Sequence, residues 1–109
     1  MPLRGRTTLH NPALFFATTT TLKWEKWFDT NDKLRDLETI LFDTVRIKQC
    51  ALMGYVLMPN HVHLLLGCPD AGPGLSKFMH SFKIISAKVF STAGGIWQSR
   101  FDDLMMTSE

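Results

Sequence analysis

Tyrosine occurs once in this chain and cysteine twice, and no strong charge of either sign is present, with 12 basic residues set against 10 acidic ones. Two thiols, Cys50 and Cys68, are too few for a disulfide framework and form no CxxC, so they read as small buried hydrophobes in a reducing compartment. Long apolar runs are also missing. Stretches such as Ala13-Leu14-Phe15-Phe16-Ala17 fall far short of the ~20 residues a bilayer requires and of a signal-peptide core, which predicts a cytoplasmic protein with no membrane contact. A net charge of +2 permits an anionic partner without identifying one. No internal repeat occurs, and the four consecutive threonines are too short a tract to matter. At 109 residues the chain has room for one core.

What is present has clear periodicity. Residues 1–12, with Arg4, Arg6 and two prolines, predict a mobile basic arm, and residues 13–109 the folded domain. Ala13 to Lys23 is aromatic and β-branched and predicts a strand. From Asn31 to Cys50, apolar residues Leu34, Leu37, Ile40, Leu41 and Val45 recur at helical steps, with Thr30 or Asn31 available as N-cap. Ala51 to Met58 and His61 to Cys68 are two apolar runs joined by Pro59-Asn60, a hairpin of two strands of central, buried character. Gly67 to Gly74 predicts a loop. Leu75, Phe78, Met79, Phe82, Ile85, Val89 and Phe90 then predict a second amphipathic helix ending before Gly94-Gly95, and Ile96 to Met106 a last extended segment. The order β-α-β-β-α-β is the α+β, ferredoxin-like split-βαβ arrangement: one antiparallel sheet with two helices on one face and the other face open.

The constellation above background is His61-Val62-His63. Side chains alternate along a strand, so both imidazoles project from one face, ~6.5–7 Å apart, and can lean onto one divalent ion. The pair alone fits ordinary surface or core histidines equally well. Other metal families with such a pair fit poorly: the Asp of metallo-hydrolases and the Glu of cupins are replaced here by Leu65 and by Gly67-Cys68, and an amidohydrolase barrel needs ~250 residues.

The stretch Gly54-Tyr55-Val56-Leu57-Met58-Pro59-Asn60-His61-Val62-His63-Leu64-Leu65-Leu66 resembles the signature of single-tyrosine transposases of the HUH (His-hydrophobic-His) superfamily, particularly the REP-associated tyrosine transposases. Phe15 to Trp24 is similar to that family's first strand, Phe78 to Lys88 to its DNA-contacting helix, and Ile96 to Asp103 to its last-strand motif. The resemblance implies that His61 and His63 hold Mg²⁺ or Mn²⁺, that the substrate is single-stranded, hairpin-bearing DNA, and that strands are cut and rejoined through a phosphotyrosine. It also implies a nucleophilic tyrosine on a helix after the last strand, with an Asn or Gln one turn on completing the metal shell. This sequence stops at Glu109, before that helix would begin, so the nucleophile is expected to be absent and the domain incomplete at its C-terminus. The third ligand stays open among Gln98, Asp102, Asp103 and His80.

Tyr55 does not replace that nucleophile: a two-residue turn sets Met58 opposite His61 and Val56 opposite His63, placing Tyr55 on the helix-packed side as a core residue. Lys77, Lys83, Lys88, Arg100, Arg4 and Arg6 are candidate phosphate contacts, Lys83 foremost by resemblance. Trp24 and Trp27 are candidates for base stacking, although rim packing serves as well. A homodimer is compatible with the family. Two further readings stand beside the transposase: an inactive DNA-binding remnant or regulatory fragment, and, more weakly, an RNA-binding ferredoxin-like domain.

Overall fold

The computed structural model describes residues 13–69, 71–91 and 95–107, with the backbone alone given for 71–73 and 104–107. The predicted arm with Arg4 and Arg6 lies outside the described residues. Strand β1 (Ala13–Thr20) alternates without a break. Ala13, Phe15, Ala17 and Thr19 are buried, while Leu14, Phe16, Thr18 and Thr20 face the other way. The strand is shorter than expected because Leu22–Trp24 turns, with Lys23 and Trp24 in the left-handed region at φ 53° and 58°.

Helix α1 (Asn31–Lys48) starts at Thr30, whose hydroxyl accepts from the Lys33 N–H at 3.2 Å, and ends on Gln49 at φ 58°. That is an ordinary N-cap and a left-handed C-cap. Leu37, Ile40, Leu41 and Thr44 form its buried face, and the Thr44 hydroxyl donates to the Ile40 carbonyl at 2.7 Å. β2 (Ala51–Met58) and β3 (His61–Cys68) form the expected hairpin. The antiparallel sheet has the order β2-β3-β1-β4, with β4 (Asp102–Thr107) at one edge. This is the expected ferredoxin-like arrangement, with both helices against one face.

Other expectations change as well. β2 is an edge strand rather than a central one, and Met53, Val56 and Met58 are exposed although the run is apolar throughout. A bulge between Leu52 and Gly54 turns Met53 outward and sets Leu52 opposite Leu66. Gly67 to Gly74 is not a loop: β3 runs to Cys68, and α2 (Ala71–Phe90) starts before the glycines end. Pro73 falls in the helix's first turn, where an N–H has no intrahelical partner to lose. Finally, Cys50 is half-buried, whereas Cys68 is fully buried as expected. The neighbouring Cys68 thiol holds the Cys50 pKa below its ordinary value.

The buried face of α2 is Leu75, Phe78, Met79, Phe82 and Ser86, so the expected Ile85 and Val89 point to solvent. Ser86 is inside because it completes a polar contact: its hydroxyl donates to the Phe82 carbonyl at 2.6 Å and accepts from the Trp97 indole N–H at 2.8 Å. Trp97 bridges to Thr21 and lies against Phe28 and Phe82, with Phe90 edge-on to Phe28. This aromatic cluster joins the end of β1, α2 and the segment before β4. Ser86→Ala would strand a buried indole N–H and should cost about 1–3 kcal/mol. Ile85→Ala, at a residue 37% exposed, should cost less than about 1 kcal/mol. Urea unfolding of the two variants checks this, and the reverse ranking would contradict the packing.

Candidate metal centre and nucleic-acid face

The pleat of β3 sends Val62, Leu64 and Leu66 into the core and His61 and His63 to the open face. On β1, Thr20 lies opposite His61 and Thr18 opposite His63; on β2, Met58 and Val56 take the same positions, as expected from the turn length. The two imidazoles are half-buried neighbours, with ring centroids 4.9 Å apart and planes at 80°. His61 Nδ1 lies 2.8 Å from Asn60 Oδ1, and His63 Nδ1 lies 2.9 Å from the Thr18 hydroxyl. Phe16 stacks on His63 at 5.5 Å. Among the described residues neither Nε2 has a hydrogen-bond partner.

Burial first, and the neighbouring His63 second, hold the His61 pKa below the ordinary imidazole value. A neutral imidazole is the form that binds metal. Two nitrogen donors suit Mn²⁺ better than Mg²⁺, which prefers oxygen ligands. No group of three or more His, Cys, Asp or Glu side chains able to hold a metal occurs among the described residues. Asp102 shares a row with His63 but lies beyond Thr18, two strand spacings away, or roughly 10 Å between backbones.

The candidate cations divide into two sets. Lys77 and Lys88 are exposed on one side of α2, and Lys83 is turned from both by roughly 120–140°. Lys83 instead enters a groove of about 380 Å³ between α2 and the segment preceding β4, lined by Ser76, His80, Gln98 and Phe101 among others. Its ammonium donates to the Arg100 carbonyl at 3.5 Å and sits 5.9 Å over the Phe101 ring. Burial there lowers its pKa. Gln98 N–H donates to the Thr20 carbonyl at 2.9 Å, and Asp102 pairs with Thr18, so the backbone between them runs along the far side of β1, two strand spacings from the histidines. The fold thus brings Lys83 to the backbone of Arg100, across β1 from the histidines, and leaves Lys77 and Lys88 apart.

Tyr55 is on the helix side of the sheet, away from the histidines, as expected, but it is not a core residue. It is 37% exposed, edge-on to Phe42, and its hydroxyl donates to Glu38 at 2.6 Å. That carboxylate raises the phenol pKa, the opposite of what a nucleophile needs. Trp27 packs against the core, whereas Trp24 is 62% exposed on its left-handed turn. Sequence reasoning missed Asn60, Thr18 and Phe16 as supports of the histidine rings. The signal for Thr18 was available in the alternation of the threonine run, while that for Asn60 depended on the turn it meets.

Residues 17–102 match the family model described as "Transposase IS200 like", and the chain belongs to this family. Members of the family typically use a divalent metal. No curated protein sequence matches the chain. Among solved structures, it is similar to a REP-associated tyrosine transposase bound to a REP hairpin, at 17% identity and a TM-score of 0.72 over 89% of this chain. The chain spans 58% of that protein's length. It is also similar to a putative transposase from Deinococcus radiodurans R1, at 21% identity and a TM-score of 0.70, covering 87% of this chain and 80% of that one. No described helix is long and apolar enough to cross a membrane.

Because the cation is disfavoured, His61 should titrate below the usual ~6.5. With the folded-state pKa below the unfolded one, the stability present above ~6.5 is lost as pH falls from there through the lower folded-state value. NMR titration of the imidazole protons checks the midpoint. His63→Ala should raise it only part of the way, since burial is the larger cause, and a midpoint at or above 6.5 in the wild type would contradict the geometry.

Proposed function

We propose that this IS200-like domain binds single-stranded, hairpin-bearing DNA across its open sheet face and holds a divalent ion on His61 and His63 at the scissile phosphate. The observation that carries the reading is the pair of imidazoles with Nδ1 engaged by the protein and Nε2 unpartnered among the described residues, on the open face. The hairpin seen on the REP-associated transposase of the same fold supports the choice of ligand. A bound Mn²⁺ or Mg²⁺ supplies Lewis-acid polarisation of the phosphate.

The chain's own residues do the rest of the binding. Lys83 and Arg100 offer positive charge across β1 from the histidines, where a DNA backbone leaving the groove would cross toward the open face. The exposed indole of Trp24, whose backbone carbonyl meets the Asn60 amide, would stack on an unpaired base, a contact worth ~1–3 kcal/mol. Phosphotyrosine formation needs a nucleophile from outside the residues described, because Tyr55 is committed to Glu38 on the opposite side. That commitment favours a second reading for this chain by itself, DNA binding without strand cleavage.

Fluorescence anisotropy with a labelled hairpin carrying a single-stranded flank tests the assignment. Binding should be tighter than to a matched duplex, and Lys83→Ala should weaken it and reduce the salt slope by about 1. His63→Ala should leave metal-free binding within a few-fold, because the imidazole acts toward the ion. Equal affinity for the duplex, or an unchanged salt slope in Lys83→Ala, would contradict the proposed face. Metal-dependent nicking by the 109-residue chain would overturn the binding-only alternative.

A further inference from the structure

We infer that Asn60 is a positioning residue that fixes the tautomer of His61, keeping the proton on Nδ1 and the Nε2 lone pair directed outward. The inference gives the proposed metal centre its orienting group and rests on that reading for its purpose, though the tautomer itself does not. An amide has one accepting end and one donating end. The Asn60 NH₂ donates to the Trp24 carbonyl at 3.2 Å, so the end facing His61 at 2.8 Å is Oδ1. An amide oxygen only accepts; the hydrogen must therefore sit on His61 Nδ1, and a neutral imidazole then has its free pair on Nε2.

Asn60 is itself held at several points. Its carbonyl accepts from the Thr21 N–H at 3.0 Å, while the Pro59 carbonyl accepts from the Phe28 N–H at 3.0 Å. The same hypothesis accounts for the strained turn. Lys23 and Trp24 take left-handed φ values that non-glycine residues seldom adopt, and the turn aims the Trp24 carbonyl at the amide. Thr21 closes that turn as well, donating its hydroxyl to the Glu25 carbonyl at 2.7 Å and accepting the Trp24 N–H on its own carbonyl at 3.2 Å. Outer groups of this kind set which ring nitrogen faces a metal and commonly change affinity by ~10–100-fold. Thr18 does not play the same part for His63, because a hydroxyl can donate or accept and leaves both tautomers open.

The test is a long-range ¹H–¹⁵N spectrum of the histidine rings in metal-free protein, followed by Mn²⁺ titration read from paramagnetic broadening. Wild-type His61 should show a protonated Nδ1 and a bare Nε2. Asn60→Ala should yield a mixture of tautomers and weaken Mn²⁺ binding by about 10–100-fold. Asn60 is not among the residues with positive φ, so the backbone accepts alanine there. A protonated Nε2 in the wild type, or an Asn60→Ala spectrum unchanged in tautomer, would overturn the inference. The wild-type spectrum decides it even if the alanine variant fails to fold. A bare Nε2 in a protein that shows no Mn²⁺ broadening would sustain the role of Asn60 while removing the metal reading.

Discussion

Strand pleating sends successive side chains to opposite faces, and the arrangement of this domain depends on which parity β3 takes. One register places Val62, Leu64 and Leu66 against the helices and both histidines on the open face; a slip of one residue would bury two imidazoles and expose three apolar side chains. The cost of that slip is the loss of several fully buried side chains, each worth ~1.5–3 kcal/mol. Hydrophobic burial in the core therefore holds the functional face in place without any direct contact between the two. The turn at Pro59-Asn60 enforces the same parity from β2, and the backbone bonds from Thr21 and Phe28 hold that turn.

Much of this was legible because the signals were periodic. The element order, the helical span starting at Asn31, the hairpin, and the shared face of His61 and His63 follow from alternation and helical spacing alone. The failures have local causes. An apolar run does not distinguish an edge strand from a central one, so Met53, Val56 and Met58 in β2 gave no sign of exposure. Glycine and proline near the start of α2 read as a loop because their positions relative to the first turn were unknown. Helical spacing favoured Ile85 over Ser86, since a hydroxyl becomes a good core residue only when a donor such as the Trp97 indole is present. The partners of the histidines come from β1 and from the residue before His61, and pairwise contacts of that kind are set by tertiary register.

The charge distribution separates binding from chemistry. Lys83 lies in an apolar groove with no carboxylate partner among the described residues, its stem and ammonium placed by Phe101 and the Arg100 carbonyl. The ion pairs of α1, by contrast, join exposed neighbours such as Arg46 and Asp43 and add little beyond solubility. Lys83 is thus one of several described cations that no carboxylate neutralises, and it lies beside the segment that leads into β4. In the proposed function that position is what delivers a phosphate to the ion-binding face.

The central claim is that His61 and His63 form one ion-binding unit through their outward Nε2 atoms. Its most direct measurement is a crystal grown with Mn²⁺ and read by anomalous scattering. The account requires a single peak within bonding distance, near ~2.1–2.3 Å, of Nε2 on both rings, with Nδ1 of His61 still on Asn60. A peak at Nδ1, at one histidine alone, or at another part of the molecule would contradict it.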